Sequence, residues 1–251
     1  MASEQASSTV VPPVPGMTYR SLCRSLSAER LAAYSLETDL DSEDAPARYL
    51  WNLALCAQLH PVFHIVEVAF RNALYNIGEQ ETRGRGLKYQ TVACWLDANP
   101  TLLKRAEAED VANAVHHLGT RHTPGHLISQ LGFGFWVRLC DAPYEQGNKA
   151  GPRLWPRATT AFAYCPKSHR NRSDISRAFD ALRNMRNDIA HHHPVWDRSP
   201  TAYFNRAVDL LAWMNPTLAA VTRTCSQFMA VHTSGPAAFR AVAKQVVSVC
   251  R

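Results

Sequence analysis

"SDISRAFDALRNMRNDIAHHHPVW", residues 173–196, holds the pattern on which the fold class turns. Ile175, Ala178, Phe179, Leu182, Met185 and Ile189 recur at spacings of three and four, which lines one side of an α-helix with apolar side chains. Ser173-Asp174 offers an N-cap and Pro194 forces an end near His192, so a helix is expected over about 174–192. With successive residues about 100° apart, Arg186 falls inside the apolar stripe beside Phe179 and Leu182, while Arg183 and Asn187 lie on its flank. A cation at a core-facing position is costly unless it is paired or holds an anion.

Two readings of that charge stand side by side. In one, Arg186 makes a buried ion pair and the three histidines end a helix whose C-terminal dipole favours cations. In the other, the helix end is a phosphate site. His191 lies about 7.5 Å beyond Arg186 along the axis and shares a face with Asn187. Imidazole exchanges protons near neutrality, a guanidinium stabilises charge developing on a five-coordinate phosphorus, and Asn187 is placed to orient either group.

The signals elsewhere are also helical. Ser27 caps "AERLAAYSL", and Asp44 precedes a helix through "ARYLWNLALCAQL". Pro61 begins or kinks a second helix reaching about Asn76, and Asn99-Pro100 and Thr123-Pro124 each read as an N-cap followed by proline. Ser199-Pro200 and Ser234-Pro236 start the last helices, with Pro216 dividing the penultimate segment, and roughly 141–173 reads as a long linker. No alternating strand pattern or hairpin turn is apparent, so the fold class is all-α. Residues 1–16, "MASEQASSTVVPPVPG", read as a disordered tail, and 17–251 as a single domain.

Among 251 residues, 27 Lys+Arg against 21 Asp+Glu leave a net charge of +6, which suits a polyanionic partner as well as an ordinary basic protein. The seven cysteines are scattered and never form a C-x-x-C pair, which points to reduced thiols in the cytoplasm. No apolar run approaches the roughly 20 residues that span a bilayer, and no export signal is evident, so no membrane partner is expected. No cofactor fingerprint is present either.

Other clusters carry weaker chemistry. His60, His64, Glu67 and Arg71 share one polar helical face, whose spacing fits three metal ligands but is explained by solvation without a metal; no metal site is assigned. His116, His117, His122 and His126 surround a turn and read as a solvated loop. The "GFGFW" aromatics (132–136) read as core, and the cations of "SHRNRS" (168–173) as either RNA-backbone contacts or solubilising charge.

"RNDIAH" (186–191) matches the R-x4-6-H signature of the HEPN ribonuclease superfamily in its R-N-x3-H form. The chain resembles the Abi-like abortive-infection proteins, the AbiD and AbiF types, in an ordered series. These landmarks are "SLSAERLAAY" (25–34), "YLWNLALC" (49–56), "VEVAFRNAL" (66–74), "LGFGFWVRL" (131–139), "LWPRATTAF" (154–162), "LRNMRNDIAHHHPVW" (182–196) and "AVDLLAWMNPTLA" (207–219). The resemblance implies a HEPN-type helical bundle with additional helices, and metal-independent endoribonuclease activity leaving 2′,3′-cyclic phosphate ends. On this chain it implies Arg186 and His191 as the catalytic pair with Asn187 in support. Arg183 and His192 would be RNA contacts, and Glu67, Arg71 and Asn72 would pack beside the catalytic helix, Glu67 as partner of Arg186 or Arg183. His192 and His193 also fall within the permitted spacing. The implied partners are an RNA substrate, a restraining structured non-coding RNA or protein antitoxin, and a second copy in a homodimer. A non-catalytic RNA-binding module is the alternative from another class, and a metal-dependent hydrolase the third.

Overall fold

Ser27 opens the described helices, its hydroxyl accepting the Arg30 N–H at 3.2 Å and satisfying one of the donors a helix start leaves over. The computed structural model describes residues 26–41, 43–84, 94–98, 103–119, 122–145 and 154–248. Its helices are α1 (Ala28–Ala32), α2 (Asp44–Gly84), α3 (Trp95–Ala98), α4 (Arg105–Leu118), α5 (Pro124–Gln130), α6 (Phe133–Arg138), α7 (Arg172–Ala190), α8 (Pro200–Met214), α9 (Pro216–Cys225), α10 (Phe228–Ser234) and α11 (Arg240–Ser248). Short 3-10 turns cover Ala142–Tyr144, Arg157–Phe162 and Pro236–Phe239. Among the described residues there is no strand, and one isolated bridge joins Glu145 to Trp155. The fold is all-α. The tail, residues 1–16, and the Asn99-Pro100 cap lie outside the described residues.

Several boundaries differ from expectation for local reasons. α2 is one helix of 41 residues with Pro61 inside it, not two helices meeting there. A proline removes one intrahelical donor, while Leu55, Leu59, Val62, Phe63, Val66 and Phe70 are buried on both sides of the defect and hold the helix together. That continuity corrects the run-length reading of membrane potential: Asp44–Glu81 is long and apolar enough to cross a membrane by length and composition. A core helix of the same length meets that test too, and α2 stacks its Phe70 on Phe179 of α7. The stretch "HLISQLGFGFWVRLC" breaks at Leu131-Gly132 into α5 and α6. The cap of α7 is Asn171, not Ser173, because its side-chain oxygen accepts the Asp174 N–H at 2.9 Å. Thr123 caps α5 as expected, in a reciprocal box with His126.

The described residues fall into two compact units, those within Met1–Leu53 and Thr233–Arg251 and those within Ala54–His232. In the first, buried Arg48 pairs with Asp39 at 2.6 Å and donates to the Tyr34 carbonyl, and Tyr34 meets Tyr49 edge-on at 5.1 Å. In the second, an aromatic cluster forms the centre. Phe70 stacks on Phe179 with ring centroids 3.8 Å apart, meets Phe133 edge-on at 6.0 Å and lies 6.3 Å from Phe162. Phe133, Phe135 and Trp136 are all buried, as the core reading of "GFGFW" expects. α7 also packs against α6 and α8. At the far end of α2, Gly78 lies against Trp95, whose indole N–H donates to the Tyr75 carbonyl at 3.0 Å, and a Cβ at Gly78 would overlap that indole.

Phe179→Ala empties the centre of this cluster and is expected to lower the unfolding free energy by about 3–5 kcal/mol. Gly78→Ala drives a methyl into Trp95 and is expected to cost about 1–3 kcal/mol. Urea unfolding followed by tryptophan fluorescence measures both.

Candidate functional site

α2 and α7 run antiparallel where they meet. Phe70 touches Phe179, and Glu67, one turn earlier on α2, faces Arg186, two turns later on α7. Helical side chains lean toward the N-terminus, so the long Arg186 side chain reaches back to Glu67 across that offset. This pairing places the charged end of α7 against α2.

The anomaly of a cation in the apolar stripe resolves here. Ile175, Ala178, Phe179, Leu182 and Met185 are buried, but the stripe loses its cover after Met185. Arg186 and Ile189 instead line an open cleft of about 350 Å³ with Ala190 and His192, opposite Cys56, His60 and Phe63 of α2. The Arg186 side chain is 42% exposed, and its guanidinium stands 4.0 Å from the Glu67 carboxylate and 3.5 Å from the Asn187 amide oxygen. It is therefore not a buried ion pair. A part-exposed pair at this separation contributes about 0–1 kcal/mol, so loosening it to grip a phosphate through two parallel N–H donors costs little.

The three histidines diverge at the helix end. The His191 N–H closes the last α-helical bond to the Asn187 carbonyl at 2.8 Å, and the ring is exposed, 6.2 Å from that of His193. His192 takes φ 60°, the left-handed cap conformation usual for glycine. Its N–H bonds the Ile189 carbonyl at 3.0 Å and the next N–H, of His193, bonds the Asp188 carbonyl at 2.8 Å. This left-handed residue turns the chain so that His192, one residue past the expected position, is the histidine on the Arg186 cleft. The His193 ring lies 3.2 Å from Asp188, whose other oxygen takes Arg198 at 2.7 Å.

The remaining predicted residues separate. Glu67 chooses Arg186 over Arg183, which pairs instead with Asp180 at 2.6 Å. The Nε atoms of Arg183 and Arg71 are buried without a hydrogen-bond partner among the described residues, and Asn72 is exposed. The loop cations near α7 are occupied: Arg170 donates to the Cys165 carbonyl at 3.0 Å, and Arg172 to Glu145 at 2.8 Å and the Cys140 carbonyl at 3.0 Å. Burial pushes the Cys56 thiol up to about 11, so it enters the cleft as a neutral wall. Among the described residues no three His, Cys, Asp or Glu side chains gather as a metal site.

His60 is the cleft residue that spacing rules left unassigned. The signal was present: it shares a helical face with Glu67, seven residues on, and Glu67 was already placed beside α7. A larger cleft, about 460 Å³, lies between α4 and α6, but its cation, Arg138, is engaged by Glu107 at 2.7 Å and by Asp110, and it holds none of the predicted residues. The Arg186 cleft is the better candidate for an anionic ligand.

No family model matches the chain, and neither a curated protein nor a solved structure matches it.

His192→Gly relieves the left-handed backbone, which costs a residue with a Cβ about 1–2 kcal/mol. The variant is expected to unfold at a higher midpoint than wild type by thermal melting, whereas His193→Gly, whose residue is not in that conformation, gives no such gain.

Proposed function

We propose that the chain is a metal-independent endoribonuclease of the abortive-infection or toxin type, built on a HEPN-like active site. Arg186 grips the scissile phosphate and stabilises the charge that develops on it, and Asn187 supports the guanidinium. The proton is moved by a histidine at the end of α7, where the resemblance selects His191. The ribose 2′-hydroxyl attacks the adjacent phosphate and the 5′-oxygen leaves, giving 2′,3′-cyclic phosphate and 5′-hydroxyl ends. The observation that carries this reading is the position of Arg186: a loosely paired guanidinium, half open to solvent, in a cleft that also holds imidazoles. A guanidinium that can hold a phosphate and imidazoles that can carry protons line the same cleft, and this supports the reading.

The rest of the proposal rests on the resemblance to the Abi-like proteins. The substrate is cellular or phage RNA in the cytoplasm, and the net positive charge of +6 favours its approach. Such an activity needs restraint, supplied by a structured non-coding RNA or a protein antitoxin, and a homodimer would bring two α7 ends together.

Arg186→Ala is expected to slow RNA cleavage by about 10²–10³-fold, the loss typical of removing one preorganised charge stabiliser, and to abolish growth arrest on induced expression. Cleavage by wild type persists in EDTA and leaves 2′,3′-cyclic phosphate ends. Toxicity unchanged in Arg186→Ala, with RNA bound but never cut, would instead identify a non-catalytic RNA-binding module. Loss of cleavage in chelator would identify a metal-dependent hydrolase.

A further inference from the structure

The Arg186 cleft is lined by imidazoles from two different helices of one chain. His192 stands on the α7 side, at the left-handed cap, and His60 on the α2 side. Because α2 and α7 are antiparallel, stepping back along α2 from Glu67 to His60 is stepping forward along α7 from Arg186 to its C-terminal cap. His60 precedes Glu67 by two turns, about 10 Å of axis, and the opposite wall is reached by a residue that the αL turn carries round. Arg186 is thus the cation of a cleft with an imidazole on either helix.

Cleavage by a 2′-hydroxyl is an in-line displacement, so the entering and leaving oxygens lie on opposite sides of phosphorus. One imidazole cannot serve both in a single step, so a site with a single histidine needs a second proton carrier. We infer that His60 and His192 of the same chain divide the two proton transfers at an RNA phosphodiester held by Arg186, an inference that rests on the ribonuclease reading above. One ring takes the 2′-hydroxyl proton as the 2′-oxygen bonds to phosphorus. The other gives its proton to the 5′-oxygen as the P–O5′ bond breaks. One proton enters the site and one leaves, and water resets the two rings. The imidazole on the α7 side is assigned to His192, the one that reaches the cleft, in place of the His191 that motif spacing selects. The α2 residue makes a partner subunit's histidine unnecessary for the chemistry.

The test uses the full chain and single-stranded RNA, with rates followed against pH. His60→Ala and His192→Ala are each expected to slow cleavage by about 10²–10⁴-fold and to lose opposite limbs of a bell-shaped profile. An RNA with sulfur replacing the bridging 5′-oxygen at the cut site needs no acid to expel its leaving group, and it restores whichever variant has lost the acid. His64→Ala, exposed on the same helix and outside the cleft, keeps the wild-type rate and profile. Mixing His60→Ala with Arg186→Ala protein restores nothing, since both groups belong to one chain. Full activity with both limbs in His60→Ala, the same limb lost in both variants, or restoration on mixing would each overturn the inference. In those cases an inactive Arg186→Ala leaves the ribonuclease reading standing, whereas a wild type that cuts no RNA overturns the two together. An unchanged melting midpoint shows that each variant is folded.

Discussion

The stack of Phe70 on Phe179 sets the relation between the two helices on which everything at the candidate site depends. Two rings at 3.8 Å, nearly parallel and walled in by Phe133 and Phe162, leave α2 and α7 little freedom to slide or rotate. Aromatic pairs contribute about 0.5–1.5 kcal/mol beyond the area they bury, and close packing punishes any shift of a ring by lost contacts. Once that pair is in register, Glu67 must come beside Arg186, and His60 must come beside the end of α7. The Glu67–Arg186 pair is therefore positioned by an apolar contact about one turn away on α2 and two turns away on α7.

Arg186 is held differently from several other arginines among the described residues, and the contrast is informative. Arg138, Arg170, Arg172 and Arg183 are tied to carboxylates or carbonyls at ordinary hydrogen-bond distances, and buried Arg48 pairs with Asp39. They hold loops and helices together. Arg186 is held at 4.0 Å by a carboxylate that is itself partly covered, and it faces a cleft. A guanidinium kept in place but not saturated is preorganised for an anion, which is the condition for charge stabilisation without reorganisation. The end of α7 adds the second ingredient. A helix that stops in a left-handed residue normally uses glycine there because a Cβ is strained. This one uses His192, so strain is accepted at a position where the side chain reaches the cleft.

Much of this was legible in residue order. The three- and four-residue spacing of apolar positions marked α7 and its buried face correctly as far as Met185, and the Thr123-Pro124 device marked the start of α5. Pro61 misled, because a proline's local cost was outweighed by apolar burial on both sides of it. Arg186 stood out as a charge at a core-facing phase, and Glu67 was rightly named as a possible neighbour. Periodicity could not say that the stripe loses its cover one turn before the helix ends, since cover is supplied by other elements.

Residue order by itself thus determined an all-α chain, the extent of its principal helix within two residues, and a guanidinium–imidazole cluster at that helix's end. These depend on local spacing, capping and proline stereochemistry, which act over a few residues. Tertiary structure decided that Arg186 opens onto a cleft, that Glu67 is its partner and not that of Arg183, that His192 is the histidine from the end of α7 that lines it, and that His60, 126 residues before Arg186, lines it too. The reason is physical: which side of a helix is covered, and what stands across from it, is set by the packing of Phe70 on Phe179, a contact between segments that share no local pattern.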